Sequence, residues 1–188
     1  MATLAAAPAV TARAPTMIVG ERADHAPAIE TLLDLAFGVA RRQKTCQRLR
    51  DGHAPRPDLC LVALDARDAV IGTVRLWPVK AGRRSALLLG PLATDPAWRN
   101  QGIGIAPMNA AVARAQAAGD GAILLVGDAP YYRRFGFTAE LTRRLWLPGP
   151  VDRERFLARE LIPGALKGAR GLVTQDRGWR RPVLPLAA

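Results

Sequence analysis

Apolar positions along this chain switch between a helical spacing and short unbroken runs, and the order of the switches predicts alternating strands and helices. Thr16 to Glu21 is short and apolar and predicts a first strand. Asp24 offers an N-cap and Pro27 falls in the tolerated first turn of a helix. Ile29, Leu32, Leu33, Leu35 and Ala36 then follow at helical spacing, carrying that helix to about Phe37. A more polar helical stretch from Ala40 to Leu49 ends before the breakers Gly52, Pro55 and Pro57.

Leu59 to Leu64 predicts a buried strand, Asp65 to Asp68 a turn, and Val70 to Trp77 the returning partner of a hairpin. After a polar turn at Arg83 and Arg84, Ala86 to Ala93 is apolar at nearly every position. A run without alternation is buried on both faces, so this is a central strand. Ala106 to Ala118 predicts a helix stopped by Gly119, and Gly121 to Val126 another fully buried strand. Strand, helix and strand at this length form a crossover unit, which makes the two strands parallel. Tyr131 to Phe135 predicts a short helical turn closed by Gly136, and Arg144 to Leu147 and Arg155 to Leu161 predict further strands. The fold class is α+β, a mixed sheet with helices on its faces. Residues 1–15 read as an N-terminal arm, 16–170 as one domain and 171–188 as a C-terminal tail.

Composition changes this picture little, and charge more. A net charge of +11 attracts anions such as nucleotides, nucleic acid or acidic substrates. Of 27 basic residues three are lysines, leaving 24 arginines, scattered in pairs rather than gathered in a block. With heavy alanine use, that skew reflects general composition, and no nucleic-acid-binding motif accompanies it, so nucleic acid is not an expected partner. Cys46 and Cys60 form neither a disulfide framework nor a C-x-x-C motif, and reduced thiols in a cytoplasmic protein are expected. No run approaches the roughly 18 apolar residues of a membrane span, so no membrane partner is expected. His25 and His53 are isolated, which predicts surface positions and no metal site. Trp77, Trp98, Trp146 and Trp179 read as packing or rim residues.

The chemistry concentrates in Leu89 to Gly104, where a buried strand runs through a short loop into a glycine-rich helix start. The first N–H groups of a helix have no partner within it, and the helix dipole adds partial positive charge. Gly102 and Gly104 strip away side chains so that a diphosphate can approach bare amides, and Arg99 can add a charge-assisted hydrogen bond. A P-loop is excluded because no Gly-Lys-Ser/Thr follows, and the dinucleotide fingerprint because Ala106-Pro107 stands where its third glycine belongs. A tight packing turn remains the competing explanation of the glycines alone.

Arg99 to Gly104 matches the R/Q-x-x-G-x-G/A signature of the GNAT N-acetyltransferase superfamily, and the resemblance extends through Leu88 to Pro96 and Leu124 to Phe137. The chain resembles most the YhbS-like branch of bacterial acetyltransferases, with Tyr132 to Phe137 supplying the Tyr-x-x-x-Gly-Phe landmark. The resemblance implies an N-acetyltransferase that takes acetyl-CoA as acyl donor, uses no metal and acts on a small-molecule or peptide amine as a monomer or homodimer. It implies a central parallel strand pair splayed into a V, flanked by Leu89 to Thr94 and Leu125 to Asp128. Leu92, Ala93 and Thr94 would present backbone groups to the pantetheine arm. Arg99, Asn100, Gln101, Gly102, Ile103 and Gly104 would hold the pyrophosphate. Tyr132 would stand near the coenzyme sulfur as proton donor.

An amine must shed a proton to attack a thioester, since lysine-like amines titrate near 10.4. No carboxylate lies between Ala86 and Ala93, which leaves Asp128 as the nearest candidate base, in competition with capping the turn before Pro130 and with a water chain. Tyr131 is open between packing and function. Pro107 departs from the family pattern, so the helix must start later or be bent. The acceptor pocket is expected from residues 37–57 and from segments after Phe137. A fold relative that binds acyl-CoA as a sensor without turnover is the alternative function.

Overall fold

The computed structural model describes residues 16–98 and 103–179. Eight strands form a mixed sheet: β1 (Met17–Gly20), β2 (Leu61–Leu64), β3 (Val70–Ala81), β4 (Arg84–Thr94), β5 (Ala122–Val126), β6 (Leu145–Trp146), β7 (Phe156–Glu160) and β8 (Gly171–Gln175). The main order is β1-β2-β3-β4-β5-β7, with β8 pairing both β3 and β6. Every pair along the main path is antiparallel except β4 with β5, the pair joined by the crossover. Among the described residues three α-helices accompany the sheet: α1 (Ala26–Phe37), α2 (Ile105–Ala117) and α3 (Ala129–Arg133).

The unbroken apolar runs do what their pattern requires. Along β4, Leu87 and Leu89 point into a core with Met108, Ala111, Val112 and Ala115 of α2, while Leu88 joins a core on the opposite face with Trp77, Phe156 and Val173. A third cluster seats Ile29, Leu32 and Leu33 of α1 on Val62, Leu64 and Ala93. Helices therefore cover both faces, and β4 is buried between them. Full burial of each Leu or Ile contributes roughly 1.5–3 kcal/mol, which is why this strand cannot sit at an edge.

Several expectations need adjusting. Asp24 does not cap α1; it is spent on Arg22, whose Nε and Nη2 donate to it at 3.0 and 2.9 Å, and His25 occupies the N-cap position. His25 is buried rather than exposed, its Nδ1 accepting the Arg22 amide at 3.1 Å, and His53 is half-buried with Nε2 at 3.0 Å from the Pro78 carbonyl. The helical stretch after Phe37 becomes two 3-10 turns, Val39–Gln43 and Thr45–Leu49, because Gly38 turns out of α1 at φ 72° and Lys44 is extended between them. Runs of five residues are too short to sustain an α-helix without a packed face. β3 continues through Pro78 to Ala81, where Val79 to Ala81 gain a second partner in β8. The segment from residue 171, read as a tail, thus begins with a strand of the sheet. Among the described residues no helix is long and apolar enough to cross a membrane, and no three His, Cys, Asp or Glu residues cluster as metal ligands.

Candidate active site

Two parallel strands that part company create the cavity. The β4–β5 ladder contains two partner pairs, Leu87 with Ile123 and Leu88 with Leu124. Past Leu88, β4 changes course. Its partners on β3 shift from Leu76↔Leu89 to Val74↔Leu92, so three steps of β4 oppose two of β3, with Gly90 at φ 125° and the Gly90–Pro91 peptide cis. A bulge of this kind bends a strand and breaks its ladder. Trp77 holds the bend from the core side, its Nε1 donating to the Gly90 carbonyl at 2.7 Å. The space opened is a cavity of about 900 Å³ lined on one wall by Leu89 to Leu92 and on the other by Leu125 to Asp128. Beyond Leu88, the β5-facing edge of β4 has backbone groups with no strand partner, which can bond a ligand lying in the slot.

One end of β4 leads to the start of α2. Among the described residues, no side chain caps this helix at Gly104, so its first amides are open to an anion. Gly104 leaves little room: a Cβ there would stand 3.0 Å from the Thr94 Oγ1 and 3.4 Å from the Tyr131 hydroxyl. The helix starts at Ile105, which places Pro107 inside its first turn, where a missing N–H removes no intrahelical bond. Pro107 therefore leaves the helix intact. Ile103 is buried with Ala63 and Ile71. Leu92 lines the cavity, whereas Ala93 is buried beneath α1, so any contribution of Ala93 is through its backbone. Arg99, Asn100, Gln101 and Gly102 lie outside the described residues.

The far wall carries the two candidate catalytic side chains. Asp128 is exposed and caps α3, its Oδ2 accepting the Tyr131 amide at 3.2 Å, while it also faces the cavity. Tyr132 packs edge-on against Tyr131 with ring centroids 5.0 Å apart, and against Phe137 at 6.0 Å. Its ring lies directly on Gly127, where a Cβ would be 2.1 Å from Cε2. Any other residue at 127 would push the ring away. Among the described residues nothing hydrogen-bonds the Tyr132 hydroxyl, and the side chain lines the cavity. Burial pushes its phenol far above the ordinary range, with Tyr131 and Asp128 adding to the rise and Arg155 opposing it. Tyr132 therefore keeps its proton at neutral pH. Tyr131 is also raised by burial, and Arg134 sits over its ring at 4.7 Å.

The rest of the cavity comes from the 3-10 segment and from Pro150 and Arg155, in the regions expected to form an acceptor pocket. Gly127 and Arg50 line the cavity, a placement that sequence reasoning missed. The Gly-Asp-Ala-Pro run signalled a turn at Gly127, but a ring lying on that glycine is a fact of packing.

Comparison with known proteins follows the same lines. Residues 56–139 match the Acetyltransferase (GNAT) domain. The uncharacterized N-acetyltransferase YhbS of Escherichia coli strain K12 is 31% identical over 159 residues, covering 83% of this chain and 93% of YhbS. The chain belongs to the GNAT acetyltransferases. Its fold superimposes on a crystal structure of E. coli YhbS in complex with CoA with a TM-score of 0.74 and 30% identity, covering 86% of this chain and 90% of that one. A GNAT acetyltransferase of Brucella melitensis in complex with acetyl-CoA matches with a TM-score of 0.58 and 29% identity, over 77% of this chain and 96% of its own. As a GNAT protein of the YhbS type, the chain is an acyltransferase, and the mixed sheet with its parted β4–β5 pair is the fold expected for it.

Proposed function

We propose that this GNAT protein moves an acetyl group from acetyl-CoA to a primary amine by direct attack, with Tyr132 as proton donor and Asp128 as base. The observation that carries the proposal is the continuity of the site. The edge of β4 that turns from β5, Asp128 and a proton-bearing tyrosine line one cavity, and the end of β4 at Thr94 lies against the uncapped start of α2 at Gly104. These features fit the coenzyme in kind: open amides at Ile103 to Ala106 suit a diphosphate, and the edge of Leu92 to Thr94 suits a chain of amides. The relatives' complexes with CoA and acetyl-CoA support the same reading.

Acetyl-CoA supplies an activated carbonyl with a thiolate leaving group. The chain's residues do the rest. A backbone N–H on the free edge of β4 polarises the carbonyl, an effect often worth about 3 kcal/mol where water is excluded. Asp128 takes the proton that the amine must lose, directly or through a water. The new C–N bond forms as the C–S bond breaks, and the Tyr132 hydroxyl passes its proton to the departing sulfur. The nitrogen sheds its second proton as the amide forms; that proton and the one on Asp128 leave to solvent, from which the phenol regains one.

Asp128→Asn separates base from cap, because asparagine caps helices about as well as aspartate but cannot accept a proton. We expect thiol release with a reactive amine to fall at least about 100-fold, with the melting temperature unchanged. Unchanged turnover would reduce Asp128 to its cap. Coenzyme binding without thiol release across a broad amine panel would remove catalysis from the proposal.

A further inference from the structure

The acceptor half of the cavity contains an arginine, Arg50, that no carboxylate among the described residues pairs with. Arg50 follows the second 3-10 turn, anchored by the buried Leu49, and its side chain enters the cavity. Its Nε is buried without a hydrogen-bond partner, and its Nη2 lies 2.8 Å from where a Gly90 Cβ would stand. Glycine at 90 thus makes room for the guanidinium to cross the bulge of β4.

Other enclosed arginines of the chain are satisfied. Arg75 forks onto Glu21 with two bonds of 2.7 Å, and Arg56 reaches Asp120 at 2.6 Å. Arg159, half-buried, donates to the Phe135 carbonyl at 2.8 Å. Arg41 lines the same cavity but is bound to Glu30 and Asp34 at 2.6 and 2.7 Å. Among the described residues Arg50 is the exception, and it lines the cavity between the parted strands. Burial disfavours its charged form, with Arg75 and Arg41 adding to the effect and Cys46 and Asp51 opposing it, a cost that an incoming anion offsets.

Position identifies which anion. The coenzyme diphosphate belongs at the start of α2, and Gly90 is four residues back from Thr94, roughly 13 Å along an extended strand. Arg50, against Gly90, therefore stands toward the opposite end of the slot, the part that the acetyl-transfer reading leaves to the amine. The described residues lining the cavity include four cations (Arg41, Lys44, Arg50, Arg155) against one carboxylate, Asp128. A flat guanidinium fork matches a carboxylate with two parallel hydrogen bonds.

We infer that Arg50 is a specificity residue that binds a carboxylate on the acceptor, making the preferred substrate a small amine of the amino-acid class. This rests on the acetyl-transfer reading above. Binding the carboxylate at Arg50 leaves the amine to attack from the Asp128 side, with no change in bonds made or broken.

The test compares amino acids of varied side chain with their carboxamides, following thiol release from acetyl-CoA. The best acid is expected to exceed its amide at least about 10-fold in kcat/KM, as a charge-assisted pair provides. Arg50→Gln should compress that ratio to within about threefold, by raising KM for the acid, without changing coenzyme affinity; Arg50→Lys, which keeps charge but loses the fork, should fall between. Equal use of acids and amides by the native protein would overturn the inference. So would a variant that loses activity on both alike, or a preference for phosphate-bearing amines. If coenzyme binds and no amine is acetylated, acetyl transfer fails on its own. Calorimetric titration of amino acids into the CoA-loaded protein then decides the inference: Arg50-dependent binding supports it and no binding sinks it.

Discussion

Gly127 allows the Tyr132 ring to stand where it does, and Gly127→Ala tests that dependence. The added Cβ would lie 2.1 Å from Cε2, 2.7 Å from Cδ2 and 3.1 Å from Cζ of the ring. Carbon atoms settle near 3.5–4.0 Å, so the ring must retreat by about 1.5 Å. Tyr131, Phe135 and Phe137 pack around it, and the free direction is into the cavity. Overpacking costs about 1–3 kcal/mol, which lowers the melting temperature of a chain this size by roughly 2–12 °C. Misplacing a reacting group by about 1 Å can cost 100-fold, so turnover should fall by about that factor while coenzyme affinity changes far less. The decisive assay is a double-mutant cycle read by thiol release. Tyr132→Phe removes the hydroxyl and keeps the ring, and alone should lower turnover at least about 100-fold. If Gly127 acts through that hydroxyl, adding Gly127→Ala to Tyr132→Phe should cost little more. Multiplied losses in the double variant, or full activity in Gly127→Ala, would refute the reasoning.

Three further outcomes follow from the structure. Gly104→Asp should abolish measurable coenzyme binding in calorimetry with the fold retained by circular dichroism, because its Cβ meets Thr94 at 3.0 Å and its carboxylate opposes the diphosphate. Asp120→Asn leaves Arg56, 3% exposed, with Asp58 as its remaining carboxylate, and should cost about 1–3 kcal/mol in urea unfolding with turnover intact. Cys60 should stay unmodified by iodoacetamide at pH 8 until the protein unfolds, as peptide mass spectrometry would show. Burial pushes its thiol up to about 12 and its Sγ donates to the Arg56 carbonyl at 3.1 Å, so almost no thiolate is present.

Local pattern determined the parts of this protein whose physics is local. The unbroken run of β4 announced a strand buried on both faces, the spacing of Ile29, Leu32 and Leu33 announced α1, and the length from β4 to β5 required a parallel pair. The signature from Arg99 to Gly104 pointed to an anion site because helix starts and bare glycines bind anions wherever they occur. Tertiary structure decided what depends on neighbours distant in sequence. Asp24 was drawn from its capping position by Arg22, and β8 existed only once β3 offered it an edge, since a five-residue strand has no stability of its own. Arg50 looked like any of 24 arginines until the bulge at Gly90 and the lack of a paired carboxylate among the described residues set it apart. An unpaired charge cannot be read from sequence, because being unpaired is a property of everything folded around it.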